Sequence, residues 1–134
     1  MMKTFLIFGS VSACLAVILG AFGAHALKSR LAVEHLQIFE TGVRYQMYHS
    51  IAILFIALLS MKINSVLLNY SGLFFILGIL LFSGSLYLLA CREILGIDSW
   101  KRILGPVTPL GGLCYITGWI LLFLFSVRSG NKLI

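Results

Sequence analysis

Four membrane-crossing helices, packed into a compact all-α bundle, are what this chain is expected to form, on three counts. Charged residues make up only 10% of it and hydrophobic ones 60%, whereas a soluble domain carries about 25% charged residues. Its apolar residues gather into four runs, each near the ~20 residues that cross about 30 Å of hydrocarbon as a helix. The charges that remain sit at the ends of those runs. With 134 residues the chain suffices for a single integral membrane domain, 1–134.

The first span is expected over 4–26, between Lys3 and Lys28. Lys3 and Ala24-His25-Ala26 imitate a signal peptide with its cleavage site, but the apolar run exceeds the roughly 7–15 residues of such a segment. A polar stretch follows, with Arg30, Glu34, His35, Gln37 and Glu40. Leu36, Phe39 and Val43 recur in it at helical spacing, which predicts an amphipathic helix at the interface between the first and second spans, running into the second. The second span is expected over 45–61, and Lys62, Asn64 and Asn69 mark the turn after it. The third covers 70–90. A second polar link holds Arg92, Glu93, Asp98, Lys101 and Arg102, and the fourth span covers 106–127. Pro106 is expected in its first turn, where a missing N–H costs nothing.

The excess of 10 Lys and Arg over 4 Asp and Glu lies at span ends, without the basic stripe and interleaved aromatics of a nucleic-acid surface. Four spans put both termini on one side, with Lys3, Lys62, Arg128 and Lys132. The links carry Lys28, Arg30, Arg44, Arg92, Lys101 and Arg102. The richer side is expected to be cytoplasmic, which leaves the termini outside.

Small residues are expected to carry the packing. Gly9, Ala13, Ala16, Gly20 and Ala24 recur at steps of three or four along the first span. Such a strip lets helix backbones approach closely in lipid. Gly84, Gly111, Gly112 and Gly118 are read the same way in the later spans. Cys14, Cys91 and Cys114 form no C-x-x-C pair and are read as small packing residues.

Several polar residues stand out against this background. Gly42, Tyr45, His49 and Ala52 share one face of the second span by its 3.6-residue period. Glu40 and Arg44, four apart, suit an intrahelical ion pair on another face. His49 is read either as a packed, hydrogen-bonded histidine or as a proton or ligand site, since ionisable groups at membrane depth are costly. Ser83 and Tyr87 face one way on the third span; Thr108, Gly112, Tyr115 and Trp119 form a stripe on the fourth. His25 ends the first span where the second begins. The residues His25, Glu40, Arg44, Tyr45, His49, Ser83, Tyr87 and Thr108 are therefore expected near one membrane face, as one cluster or two subsites. No carboxylate or cysteine has helical metal-ligand spacing to either His25 or His49, so no metal is expected.

Four ordered segments carry a family resemblance. They are Gly20-Ala-Phe-Gly-Ala-His-Ala-Leu27, Phe39-Glu-Thr-Gly-Val-Arg-Tyr-Gln-Met-Tyr-His49, Phe82-Ser-Gly-Ser-Leu-Tyr87 and Gly105-Pro-Val-Thr-Pro-Leu-Gly-Gly112. Together they resemble the small inner-membrane family of unknown function typified by the bacterial YgdD and YwdK proteins, with eukaryotic transmembrane relatives. The resemblance covers nearly the whole chain. It implies a multi-pass protein of the bacterial plasma (inner) membrane. It supplies no activity and no catalytic residues.

The chain has no G-x-S-x-G, no phosphate-binding glycine loop and no paired carboxylates. The expectation is a non-enzymatic structural or interaction protein without a cofactor. Its partners would be membrane lipids, a second copy or another membrane protein. The alternative is a pathway or binding site for a small solute, a proton or a lipid headgroup, lined by the polar residues named above.

Overall fold

In the computed structural model, which describes residues 1–129, the apolar runs form four long helices. They are α1 (Met2–Leu27), α2 (Val33–Ser60), α3 (Val66–Ala90) and α4 (Lys101–Ser129). No strand occurs among the described residues. The all-α, four-span expectation is borne out. The last turn of α1, Gly23–Leu27, and an internal turn of α3, Ile79–Ser83, are π-helical. Lys132, counted above on the side of the termini, lies outside the described residues.

The helices extend past their apolar runs because a chain leaving hydrocarbon need not stop being helical. This changes the reading of the first link. The segment expected as an interfacial helix is helical from Val33, but it is the start of α2 rather than a separate element. Glu34, Leu36, Gln37 and Glu40 are good helix formers, and no proline interrupts them. The 28 residues of α2 span about 42 Å at 1.5 Å each. Its first two turns therefore project beyond a ~30 Å hydrocarbon layer.

Pro106 also differs from expectation. A 3₁₀ turn at Asp98–Trp100 leads into α4 at Lys101, which puts Pro106 in the second turn and Pro109 in the third. Each removes one backbone hydrogen bond. The carbonyls left free belong to Arg102 and Gly105, both exposed residues at the link end. Headgroups and water can reach them there.

The helices pack in chain order: α1 on α2, α2 on α3, α3 on α4. Glycine notches receive rings. The Phe5 ring would lie 2.5 Å from a Cβ added at Gly72, and the Phe75 ring 2.5 Å from one at Gly118. Tyr115 fills the space beside Gly78, and Gly111 lies against the backbone of Phe82. The main core occupies the half near the termini, around Phe5, Ile53, Ile56, Leu68, Phe75 and Phe125. A smaller cluster of Leu27, Phe39 and Ala90 closes the link end.

Not every small residue packs as expected. Gly9 meets Leu54 and the Ser50 carbonyl closely, and Ala16 is buried. Gly20 is looser, with a virtual Cβ 3.4 Å from Val43. Ala13 is half-buried and Ala24 exposed. Nothing lies within 4 Å of a Cβ at Gly84, and Gly112 is only 3.9 Å from Phe82 by the same measure. Gly84 instead lines an apolar groove of about 290 Å³ between α1 and α3, floored by Ser12, Gln46 and Tyr87.

Candidate functional site

The polar residues of the spans resolve into three groups, not one cluster. The first surrounds His49, which is buried where α2 meets α4. Its Nδ1 lies 2.8 Å from the Tyr45 carbonyl, and the Trp119 indole nitrogen lies 3.1 Å from its Nε2. A carbonyl only accepts and an indole N–H only donates. Both bonds hold together only if His49 is neutral with its proton on Nδ1. The ring also stacks on Tyr115, centroids 3.5 Å apart. Tyr45 packs on Phe82 at 4.7 Å. Ser83 donates to the Gly42 carbonyl at 2.8 Å and lies 3.4 Å from the Tyr115 hydroxyl. Tyr45, His49 and Ser83 are thus joined through Tyr115. Beside them a shallow cleft of about 340 Å³ is lined by Tyr45, His49, Phe82, Gly112, Tyr115 and Trp119.

The second group ties α1 to α2 and α3. Tyr87 donates to Gln46 Oε1 at 2.6 Å, and Gln46 Nε2 donates to the Ser12 carbonyl at 2.9 Å. Ser50 Oγ stands 2.7 Å from both Ser12 Oγ and the Gln46 carbonyl. One hydroxyl proton serves one acceptor, so Ser50 donates to the carbonyl and accepts from Ser12. Nearer the links, Ser85 and Thr108 pair at 2.7 Å across α3 and α4. Ser71 donates to the Gly118 carbonyl at 2.8 Å. Among the described residues, no buried side-chain nitrogen or oxygen lacks a hydrogen-bond partner.

The third group is exposed. Glu40 and Arg44 do not form the ion pair that their spacing suggests; the ion pairs among the described residues are Arg92 with Glu93 and Arg92 with Asp98. Arg44 reaches only Thr41 Oγ1, at 3.3 Å. Both side chains line a cleft of about 260 Å³ against α1, with Gly20, Phe39 and Val43. His25 is exposed on the π-helical turn and hydrogen-bonds to none of the others. The gathering expected of His25, Glu40, Arg44 and His49 does not occur, because Glu40 and Arg44 face α1 while His49 faces α4.

Arg92 holds the link end together. Its guanidinium meets Asp98 at 3.1 Å, Glu93 at 3.7 Å, the Leu89 carbonyl at 3.0 Å and His35 Nε2 at 3.0 Å. The last bond joins the start of α2 to the link just after α3. Beside it Cys91 lines a second pocket with Phe22, Leu27 and Arg30, and burial pushes its thiol up. No three His, Cys, Asp or Glu side chains among the described residues stand close enough to hold a metal ion.

Sequence reasoning missed Ser12, Gln46, Ser50 and Ser85, which carry much of the bonding. Gln46 had a readable signal: a lone amide inside an apolar run needs a partner. The serines had none, being common small residues in membrane helices.

Residues 19–112 match the family described as "Protein of unknown function (DUF423)". The chain is 41% identical over 128 residues to the UPF0382 membrane protein YwdK of Bacillus subtilis, covering 95% of this chain and 98% of that one. It is 42% identical over 127 residues to a UPF0382 membrane protein of Staphylococcus saprophyticus, with 95% and 99% covered. To the UPF0382 inner membrane protein YgdD of Escherichia coli K12 it is 37% identical over 127 residues, with 95% and 92% covered. No solved structure matches.

Proposed function

The chain belongs to the DUF423 family, whose description carries no activity, and we propose that this multi-pass membrane protein works without catalysis, as a structural or interaction partner within the bilayer. The observation that carries this reading is the saturation of its interior. A proton path, a solute path or an active site needs polar valence left open for its cargo. Here His49, Ser83, Tyr87 and Thr108 each meet a partner on another helix, and no buried side-chain nitrogen or oxygen among the described residues is left over. Such bonds act as staples between helices that lipid would otherwise separate. The His49 tautomer supports the same view: protonating Nε2 would expel the Trp119 donor.

The surface is where contact with other molecules is available. Ile18, Leu58, Leu113 and Phe123 are exposed apolar residues within the spans, one on each of α1 and α2 and two on α4. They suit lipid or another membrane helix.

The test is flux. Purified protein in vesicles loaded with a pH-sensitive dye should leak protons no faster than empty vesicles, and small polar solutes likewise. A leak that disappears in His49→Gln, while the variant keeps its thermal stability, would overturn the reading in favour of a pathway.

A further inference from the structure

Two charged side chains on α2 stand apart from the saturated interior. Glu40 and Arg44 line one cleft and leave each other unpaired. The arginine at the other link shows the difference. Arg92 keeps only 15% of its side chain exposed and is surrounded by two carboxylates, a carbonyl and an imidazole. Arg44 is exposed, with one neutral hydroxyl at 3.3 Å. Glu40 has no hydrogen-bond partner among the described residues and is also exposed.

Their depth sharpens the point. Counting the ~20 residues of a hydrocarbon span back from Ser60 places the boundary near Thr41. Glu40 therefore sits at the boundary and Arg44 about one turn inside it, reaching outward. Charges at this depth are costly unless paired. The groups at this level of a bilayer are the phosphates and amines of its headgroups.

We infer that the Glu40–Arg44 cleft is a binding site for a phosphoethanolamine group, with the phosphodiester on Arg44 and the primary ammonium on Glu40. The guanidinium presents a planar fork of N–H donors that fits phosphate oxygens. The carboxylate only accepts and so takes ammonium N–H donors. A phosphoglycerol headgroup would satisfy Arg44 but brings no ammonium to offset the repulsion between its phosphate and Glu40. A choline headgroup carries the positive charge but no N–H to donate. The remaining walls, Gly20, Phe39 and Val43, are apolar and suit the two methylenes that join phosphate to ammonium. The same chemistry occurs in a bilayer lipid, phosphatidylethanolamine, and in its soluble deacylated counterpart, glycerophosphoethanolamine.

Native mass spectrometry of the detergent-purified protein, titrated with phosphatidylethanolamine, phosphatidylglycerol and phosphatidylcholine, tests this. Wild type should retain the ethanolamine lipid about tenfold better than either other lipid, the preference expected from one additional charge-assisted hydrogen bond. Glu40→Gln should erase the preference over phosphatidylcholine and improve phosphatidylglycerol retention. Arg44→Gln should lower retention of all three lipids. Gly20→Leu, which leaves both charges in place, should lower ethanolamine-lipid retention by filling the cleft. Soluble glycerophosphoethanolamine that competes the lipid off, with the same dependence on Glu40 and Arg44, would assign the site to a solute; failure to compete would assign it to the bilayer lipid. Equal retention of the three lipids by wild type, or an unchanged ethanolamine preference in both charge variants, would overturn the inference. The lipid comparison on wild type needs no variant to fold.

Discussion

The α3–α4 seam and the α1–α2 seam hold by different means. Between α3 and α4, backbones and rings interlock: Gly111 against Phe82, Tyr115 beside Gly78, Phe75 beside Gly118. Between α1 and α2 the fit is looser at Gly20, and polar bonds from Ser12 to Gln46 and Ser50 do much of the joining. Lipid tails are as apolar as leucine, so burial drives neither seam. The first seam, though Ser71 and Ser85 also bond across it, rests mostly on steric complementarity, which fails when volume is added. The second, though Gly9 packs tightly on Leu54, rests more on directional bonding, which fails when a donor or acceptor is removed. α1 is also thinly covered: it leaves a groove toward α3 and a cleft at Glu40 and Arg44.

Adding volume to the tighter seam should do most harm. A Cβ at Gly111 would run into the Phe82 backbone, which no rotamer change can relieve. Gly111→Val should lower stability by ~3 kcal/mol or more, at the upper end of overpacking costs. Unfolding in mixed micelles measures it. A loss below ~1 kcal/mol would mean the helices can slide apart cheaply, and the two seams would not differ in kind.

Removing a bond from the other seam should cost less. Gln46→Leu keeps the volume but strips the Tyr87 hydroxyl of its acceptor and the Ser12 carbonyl of a donor. The expected loss is ~2 kcal/mol, mostly the desolvation of Tyr87 left unpaired. Gln46→Leu with Tyr87→Phe should then cost less than the sum of the single changes, by about 1 kcal/mol. Strict additivity in that cycle would show that the contact at 2.6 Å contributes nothing.

The contrast between seams also explains what could be read in advance. Apolar run length marks a span whatever it packs against, so the four helices were legible from the chain alone. Gly9, Gly111 and Gly118 were legible as packing glycines because spacing puts them on stripes. Gly72 and Gly78 were not, since what makes them tight is Phe5 and Tyr115 on other helices. Gly84 was misread for a similar reason. The π-helical turn at Ile79–Ser83 breaks the 3.6-residue period just before it, so facing on α3 cannot be carried through by counting. Within the candidate site, the i, i+4 spacing of Glu40 and Arg44 was visible, but whether the two ends meet depends on the cleft that Gly20 leaves open.

Between the seams, Trp119 ties α4 to α2 through His49. Trp119→Phe keeps a ring near Phe75 and His49 but removes the indole donor. The expected cost is ~0.6 kcal/mol, the average for an interhelical hydrogen bond in a membrane. The same variant frees Nε2 to take a proton. The wild-type imidazole should appear as a single tautomer with its proton on Nδ1, and the variant should relax that preference, which ring-labelled NMR can follow. A wild-type ring that carries its proton on Nε2 would refute the locked tautomer.

The smallest effect is expected at Gly20, and it separates the two ways of reading the α1 strip. Spacing alone treats Gly20 like Gly9, as a place where any side chain forces backbones apart. The structure puts a Cβ there at 3.4 Å from Val43, ordinary van der Waals contact, beside an open cleft. Gly20→Ala should therefore fit without displacement. It also gains helix propensity, by up to about 1 kcal/mol in water, although a helix already held by lipid and neighbours realises only part of that. The two terms leave a net change within about 0.5 kcal/mol of zero. At Gly9 the same methyl meets Leu54 at 2.9 Å and the Ser50 carbonyl at 3.2 Å, so Gly9→Ala must move the Leu54 side chain and press on the α2 backbone. Measured side by side in one detergent, Gly9→Ala should be the less stable of the pair. If Gly20→Ala proves equally damaging, α1 lies closer to α2 at the link end than its cleft allows, and the site inferred there has no room for a headgroup.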